Sequence, residues 1–271
     1  MAATSLYQFW IIFFLPVFNV LLNKAKHQNM LRFFVIFVLA RSVMSFDYCT
    51  ISAQNTMCKY KPTSYGTACM RTIPLNFTAA DKTLIVSIHN QLRRRVAKGL
   101  ETRGSPGPQP AAANMREITW DDEIAVMAQT HAQQCVFTHD ADRNVARFKV
   151  GQNLAIQFST REMKTANWTS MIQNWYNEVA AMRQSYVTSF PSSPVGVIGH
   201  YTQMVWATTF KIGCGIVSYY DTKFQPRYPY KLFYVCNYAV AGNYLSSPVY
   251  KSGTAATACP APTVPKDGLC A

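Results

Sequence analysis

The chain has 271 residues, of which 49% are apolar and 14% charged, with a formal net charge of +13. That much apolar content excludes a globally disordered chain and suffices for one large domain or two small ones. The eight cysteines (Cys49, Cys58, Cys69, Cys135, Cys214, Cys236, Cys259 and Cys270) form no C-x-x-C pair and no zinc-finger spacing, so the expectation is disulfides in an oxidising compartment.

In chain order, residues 30–45 have the layout of a signal peptide. A basic start, Met30-Leu31-Arg32, precedes the apolar run Phe33 to Ala40, and Val43 and Ser45 suit a cleavage site. Residues 1–29 hold a second apolar stretch, Leu6 to Leu22, which reads either as an upstream segment before the true start at Met30 or as an uncleaved membrane anchor. Removal of residues 1–45 takes away Lys24, Lys26, Arg32 and Arg41 and no acid, which lowers the charge from +13 to +9. The expected product is a basic, secreted, extracellular domain whose partners could include anionic glycans or membrane surfaces; nucleic acid is not expected there. Asn76-Phe-Thr and Asn167-Trp-Thr are candidate glycosylation sites.

Residues 46–77 read as an irregular, cysteine-rich arm. Thr78-Ala-Ala-Asp81 then starts a helix whose apolar positions are Leu84, Ile85, Ile88, Leu92 and Val96, ending at Gly99. Its opposite face carries Arg93, Arg94, Arg95 and Lys98 and reads as a solvated basic stripe. Residues 101–114 form a Gly/Pro loop. Asp121 caps a second helix with Ile124, Ala125, Ala128 and Ala132 on one face and Cys135 at its end. A third helix spans about Ala166 to Met182, with Trp168, Ile172, Trp175 and Val179 inward. Cys214–Tyr220 and Lys231–Tyr238 are rich in Val, Ile, Tyr and Phe and read as strands joined by a turn. Residues 246–271 form a Ser/Thr/Pro-rich tail. Helices first and an antiparallel sheet later indicate an α+β domain.

The chain has no G-x-S-x-G, no H-E-x-x-H and no Rossmann fingerprint, and its Gly99–Ser105 segment spaces glycines like a P-loop but lacks the lysine. Gly199-His-Tyr-Thr-Gln-Met-Val-Trp206 is a different matter. This string resembles the first consensus motif of the cysteine-rich secretory, antigen 5 and pathogenesis-related (CAP) superfamily. Phe233-Tyr-Val-Cys-Asn-Tyr-Ala-Val-Ala-Gly-Asn-Tyr244 resembles the second, departing at Val240, where the family usually has Pro. Gly99–Pro110, Trp120-Asp-Asp-Glu, Cys135-Val-Phe-Thr-His139-Asp, Val150-Gly-Gln-Asn153 and Thr56-Met-Cys58-Lys-Tyr60 narrow the resemblance to insect antigen 5 of venoms and saliva, over roughly residues 47–245.

The resemblance implies a three-layer α-β-α sandwich at 78–245 with a central cleft. It places His139, Gln152, Glu178 and His200 in that cleft, with Gln152 where the wider family has Glu. It also implies the pairs Cys49–Cys58, Cys69–Cys135 and Cys214–Cys236, and leaves Ala53 and Asp142 at the two positions of a further venom-protein pair. Cys259–Cys270 lies outside the resemblance and follows by elimination. Two His and one carboxylate could still hold Zn²⁺ or Cu²⁺, but an amide cannot act as a base, so no required cofactor and no enzyme activity are expected. His89 and His131 are expected to be packed or solvated. The leading expectation is a non-enzymatic binding protein for a sterol, fatty acid, eicosanoid or host protein. The alternatives are metal-dependent redox or hydrolytic chemistry at the His pair and a scaffold acting through loops and tail. The aromatics of Tyr219–Tyr238 could line a lipid groove or simply fill the sheet core.

Overall fold

The computed structural model describes residues 46–271; the segments read as an upstream stretch and a signal peptide lie outside the described residues. A five-stranded sheet carries the fold. Strand β1 (Arg71–Ile73), strand β4 (Lys211–Tyr220), strand β5 (Tyr230–Ala239) and strand β3 (Val150–Ser159) lie in the order β1-β4-β5-β3, all antiparallel neighbours, and strand β2 (Thr119–Trp120) adds to β4 in parallel. Both faces of β5 are buried, which explains its nearly unbroken apolar sequence. Leu232, Tyr234, Cys236 and Tyr238 belong to one core, and Phe233 and Val235 to the other. Two-residue periodicity thus divides one strand between two helical layers.

The first layer holds helix α1 (Ala79–Ala97), helix α3 (Trp168–Asn177) and helix α5 (Gly199–Val205). The second is helix α2 (Asp122–Ala132), packed on the other face of β4 and β5. Helix α2 lies so close that a Cβ on Gly213 would come within 2.3 Å of the Ala125 amide, and one on Gly215 within 2.3 Å of Gln129. A short helix α4 (Gln184–Thr188) completes the set. The result is the expected α+β, three-layer α-β-α sandwich.

Local signals set the helix starts. Thr78 and Asp81 form a reciprocal capping box, with Asp81 Oδ2 accepting from the Thr78 amide at 2.7 Å. Asp121 Oδ1 accepts from the Ile124 amide, and Asn167 Oδ1 from the Ser170 amide. The Asn167 cap starts α3 at Trp168, and the chain tightens into a 3₁₀ turn at Glu178–Ala181, so the expected helix of about Ala166 to Met182 is shorter and ends in a different geometry. Strand β3 was not expected from the sequence. Its opening Gly151-Gln152-Asn153 is polar yet buried by pairing with β5, and this hides the strand alternation.

All four cysteine pairs form: Cys49–Cys58, Cys69–Cys135, Cys214–Cys236 and Cys259–Cys270. The arm is more ordered than its sequence implies, because it contributes β1 and a one-turn helix, Thr56–Lys59. Where Ala53 and Asp142 leave no disulfide, hydrogen bonds hold the arm to the 140–144 loop. The Thr56 amide donates to Asp142 O at 2.9 Å, Asn55 Nδ2 to Asn144 O at 2.9 Å and Thr56 Oγ1 to Asp140 Oδ2 at 2.6 Å. The tail is docked as well. Strand β6 (Pro265–Lys266) and strand β7 (Leu269–Cys270) form a hairpin around Asp267-Gly268, with Leu269 buried and the Glu117 amide donating to Cys270 O.

The basic stripe of α1 is solvated only in part: Arg95 and Lys98 are exposed, and Arg93 is not. Arg93 is fully buried, 0% exposed. Its guanidinium donates to the carbonyls of Arg116, Met204, Trp206 and Thr209 at 2.7–3.1 Å, with Ala207 O at 3.5 Å. The tail and the Gly/Pro loop neutralise the rest: Arg94 pairs with Glu117 and Asp267, Lys98 with Asp267, and Arg95 with the buried Glu101. Folding therefore takes Arg93 out of the stripe and pairs its other three cations with carboxylates. At the other end of α1, Leu84 departs from the apolar pattern and is exposed.

His89 and His131 are both packed. His89 Nδ1 meets the Ile85 carbonyl at 2.7 Å and its Nε2 meets the Tyr238 hydroxyl at 3.0 Å; His131 Nε2 meets the Thr138 carbonyl at 2.8 Å. Tyr219, Phe233, Tyr234 and Tyr238 are also buried, so half of the eight aromatics of Tyr219–Tyr238 fill the core, while Phe224 and Tyr228 are exposed.

Two predictions follow from this packing. Arg93→Met strands several buried carbonyls at once and should lower unfolding stability by about 3–5 kcal/mol in non-reducing urea titrations. Arg93→Lys should recover less than half of that loss, because one ammonium cannot span the same carbonyls; a Met variant within about 1 kcal/mol of wild type would refute the assignment. Burial holds the His89 pKa down at about 4, while in the unfolded chain it titrates near ~6.5. The unfolded state therefore binds the extra proton, and this contribution, on the order of 3 kcal/mol, is present above pH ~6.5 and lost as pH falls toward ~4. Urea midpoints between neutral and mildly acidic pH should fall less steeply in His89→Gln than in wild type, by about one proton.

Candidate ligand and metal cleft

The four cleft residues arrive from four parts of the chain. His139 lies beyond the end of α2, Gln152 is on β3, Glu178 opens the 3₁₀ turn after α3, and His200 is in the first turn of α5. The structure brings them together as two hydrogen-bonded pairs, His139 with Gln152 and His200 with Glu178.

A chain of amide groups sets the first pair. The Ile124 carbonyl can only accept, so Asn237 turns its Nδ2 toward it at 3.2 Å. Asn237 Oδ1 then faces Gln152 Nε2 at 3.1 Å. Gln152 Oε1 is left facing His139 Nδ1 at 2.7 Å. An amide oxygen only accepts, so the His139 proton sits on Nδ1 and the Nε2 lone pair is bare. Burial lowers the His139 pKa against the opposing hydrogen bond from Gln152, and the nearby Arg143 and His200 lower it too. The neutral tautomer is therefore the favoured one.

The second pair joins an imidazole to a carboxylate. Glu178 Oε1 contacts His200 Nδ1 at 2.6 Å, and Oε2 accepts from the His200 and Tyr201 amides at 2.9 and 3.1 Å. Glu178 thereby caps α5, whose own preceding residue, Ile198, supplies no side-chain cap. The His200 ring stacks on Trp175, with centroids 6.0 Å apart. Beneath it, Asn153 Nδ2 donates to the His200 carbonyl at 3.1 Å and to the Tyr238 hydroxyl at 3.3 Å, and Tyr238 reaches the buried His89.

Asn237, Asn153, Tyr238, His89 and Trp175 were not singled out as cleft residues in the sequence. The available signal was polar residues inside otherwise apolar strands, Gln152-Asn153 and Asn237. The candidate glycosylation residues Asn76 and Asn167 are both exposed. Asn167 caps α3 through Oδ1, not through Nδ2, the atom that a glycan takes.

As a metal site, the cleft offers two oriented imidazoles, each with Nδ1 engaged and Nε2 left over. Both Glu178 oxygens are committed to donors, and among the described residues no group of three or more His, Cys, Asp or Glu is arranged to hold a metal. Protein zinc sites use three or four such ligands. The side chains alone therefore fall short of a closed site.

Comparison with known proteins agrees with this architecture. The family model described as the cysteine-rich secretory protein family, CAP, matches residues 86–238. Venom allergen 3 homolog of Dinoponera quadriceps is 50% identical over 198 residues, 73% of this chain and 83% of that protein. Venom allergen 5 of Brachyponera chinensis is 45% identical, over 73% of this chain and 98% of that protein. Among solved structures, BmVAL-1 matches with a TM-score of 0.61 at 26% identity, covering 74% of this chain and 98% of that one. NaASP2 with Zn²⁺ matches with a TM-score of 0.54 at 26% identity, covering 72% and 96%. Na-ASP-1 reaches 0.62 at 28% identity over 76% of this chain, which spans 50% of its length. The two oriented histidines, the staple pattern, the three layers and these relatives agree: the chain belongs to the cysteine-rich secretory protein (CAP) family and is antigen 5-like.

Proposed function

We propose that this chain is a secreted, non-enzymatic antigen 5-type protein that binds a small hydrophobic ligand. The observation that carries the reading is how the cleft's polar groups are used. Gln152 is a neutral amide that orients His139, and the one carboxylate, Glu178, gives both oxygens to the start of α5. A two-acid mechanism needs a second carboxyl group free to exchange a proton, and here Gln152 cannot titrate and Glu178 acts as a positioning group. The four disulfides and the venom relatives support export. Docking of the tail against α1 and the 115–117 segment argues against a free tail as the contact element.

A second reading rests on the two free Nε2 atoms and on the Zn²⁺-containing NaASP2 structure: His139 and His200 hold a labile Zn²⁺ or Cu²⁺ whose remaining positions go to water or ligand.

Native mass spectrometry of protein secreted from two unrelated hosts should show a retained apolar small molecule. Empty protein from both hosts, with no uptake of a hydrophobic fluorescent probe, would overturn the binding reading. Calorimetric titration with Zn²⁺ and Cu²⁺ should give saturable heats in wild type that His139→Ala/His200→Ala removes; equal heats in the two proteins would sink the metal reading.

A further inference from the structure

The strand register lays one row of residues across the end of the sheet: Arg71 on β1, Tyr220 on β4, Tyr230 on β5 and Ser159 on β3. The chain continues past this row in two segments, the β4–β5 turn at 221–229 and the stretch 160–167 after β3. Together with Arg71 they carry five exposed cations: Arg71, Arg161, Lys164, Lys223 and Arg227. The same segments hold two acids. Glu162 is taken up between Arg71 at 3.0 Å and Lys164 at 3.7 Å. Asp221 is buried, and its carboxylate accepts from the Lys223 and Phe224 amides. Arg161, Lys223 and Arg227 form no ion pair among the described residues, whereas the exposed cations of α1 are paired.

Aromatic rings orient two of these cations. Arg71 Cζ lies 5.4 Å from the Tyr220 ring and 5.9 Å from the Tyr230 ring, and its Nη2 donates to the Tyr230 hydroxyl at 3.4 Å. Tyr220 and Tyr230 meet edge to face at 5.3 Å. Arg227 Cζ lies 5.6 Å from the Tyr228 ring. A guanidinium laid on a ring is held partly in place, and its fork of donors matches the oxygens of an oxyanion. The stretch after β3 is fixed as well, because Ser218 Oγ on β4 donates to the Met163 carbonyl at 2.7 Å. The large apolar side chain of the turn, Phe224, packs on Phe158 at 5.6 Å. This end therefore presents charge ahead of apolar surface. A hydrated polyanion is met by charge alone, whereas a lipid interface needs apolar area to bury.

We infer that this end of the sheet docks a sulfated polysaccharide chain through Arg71, Arg161, Lys164, Lys223 and Arg227. Five cations exceed what one sulfate or phosphate neutralises, so the complement is a polymer with repeated fixed charges. The surface is separate from the His cleft, and the inference does not rest on the hydrophobic-ligand reading. It gives the net positive charge of the chain a place, on the loops at one end of the sheet.

The test uses the full secreted protein with heparin as the probe, at physiological ionic strength. Heparin should bind saturably, with an affinity that falls as salt is raised. Arg161→Ser/Lys223→Ser/Arg227→Ser, at three exposed positions with no carboxylate partner to lose, should weaken binding by about tenfold or more. Lys149→Ser/Lys211→Ser/Lys251→Ser removes the same charge from the starts of β3 and β4 and from the tail. It should stay within about twofold of wild type, because charges beyond a Debye length are screened. His139→Ala/His200→Ala should also bind like wild type, and circular dichroism checks the fold of each variant. Absence of heparin binding overturns the inference. Equal losses in the two triple variants overturn it by assigning the effect to net charge, and a loss in the His variant does so by moving the polyanion to the cleft. Phosphatidylserine vesicles that bind more tightly than heparin through the same three cations make the partner a membrane and overturn the polysaccharide assignment. None of these outcomes bears on the hydrophobic-ligand reading, whose own test is native mass spectrometry.

Discussion

The guanidinium of Arg93 is the contact on which the cleft depends. Helix α5 is seven residues long, too short to persist by its own hydrogen bonds. Its last turn and the chain beyond it present the Met204 and Trp206 carbonyls, and Arg93 takes both through Nη1. Its other end presents the His200 and Tyr201 amides, and Glu178 takes both. A buried cation at the C-terminal end and a carboxylate at the N-terminal end match the helix dipole. His200 thus occupies a defined place because a helix from one region and a turn from another clamp the segment that carries it. The remaining donors of Arg93 reach Arg116 and Thr209, so the same side chain also joins α1 to the segments leading into β2 and β4.

The two cleft histidines differ because their partners differ in charge. His139 faces an amide whose orientation traces back through Asn237 to a backbone carbonyl. That chain fixes a tautomer without supplying charge. His200 faces a carboxylate that already caps a helix. Both arrangements engage Nδ1 and leave Nε2 without a hydrogen-bond partner among the described residues.

Charge is redistributed on folding. The four basic residues at the end of α1 look like one surface in sequence, yet one is buried and three are paired with Glu101, Glu117 and Asp267. The tail hairpin supplies Asp267, so the C-terminal staple also serves electrostatics. The arm shows the opposite substitution: hydrogen bonds from Asn55 and Thr56 stand where a cross-link is absent.

The sequence by itself determined the class, the staples, the helix starts and the identities of the cleft residues. Those properties reside in local chemistry: capping side chains, helical spacing of apolar residues, and strings such as Gly199–Trp206 that carry a family pattern. Only the tertiary structure decided that β3 is a strand, that Arg93 faces inward, and that Gln152 takes its orientation from Asn237. Each of these depends on a partner more than 20 residues away, on β5, on the 204–209 segment, or on Ile124 by way of Asn237. A polar residue reads the same in sequence whether water or a distant carbonyl will satisfy it, and the fold chooses between them by supplying the carbonyl.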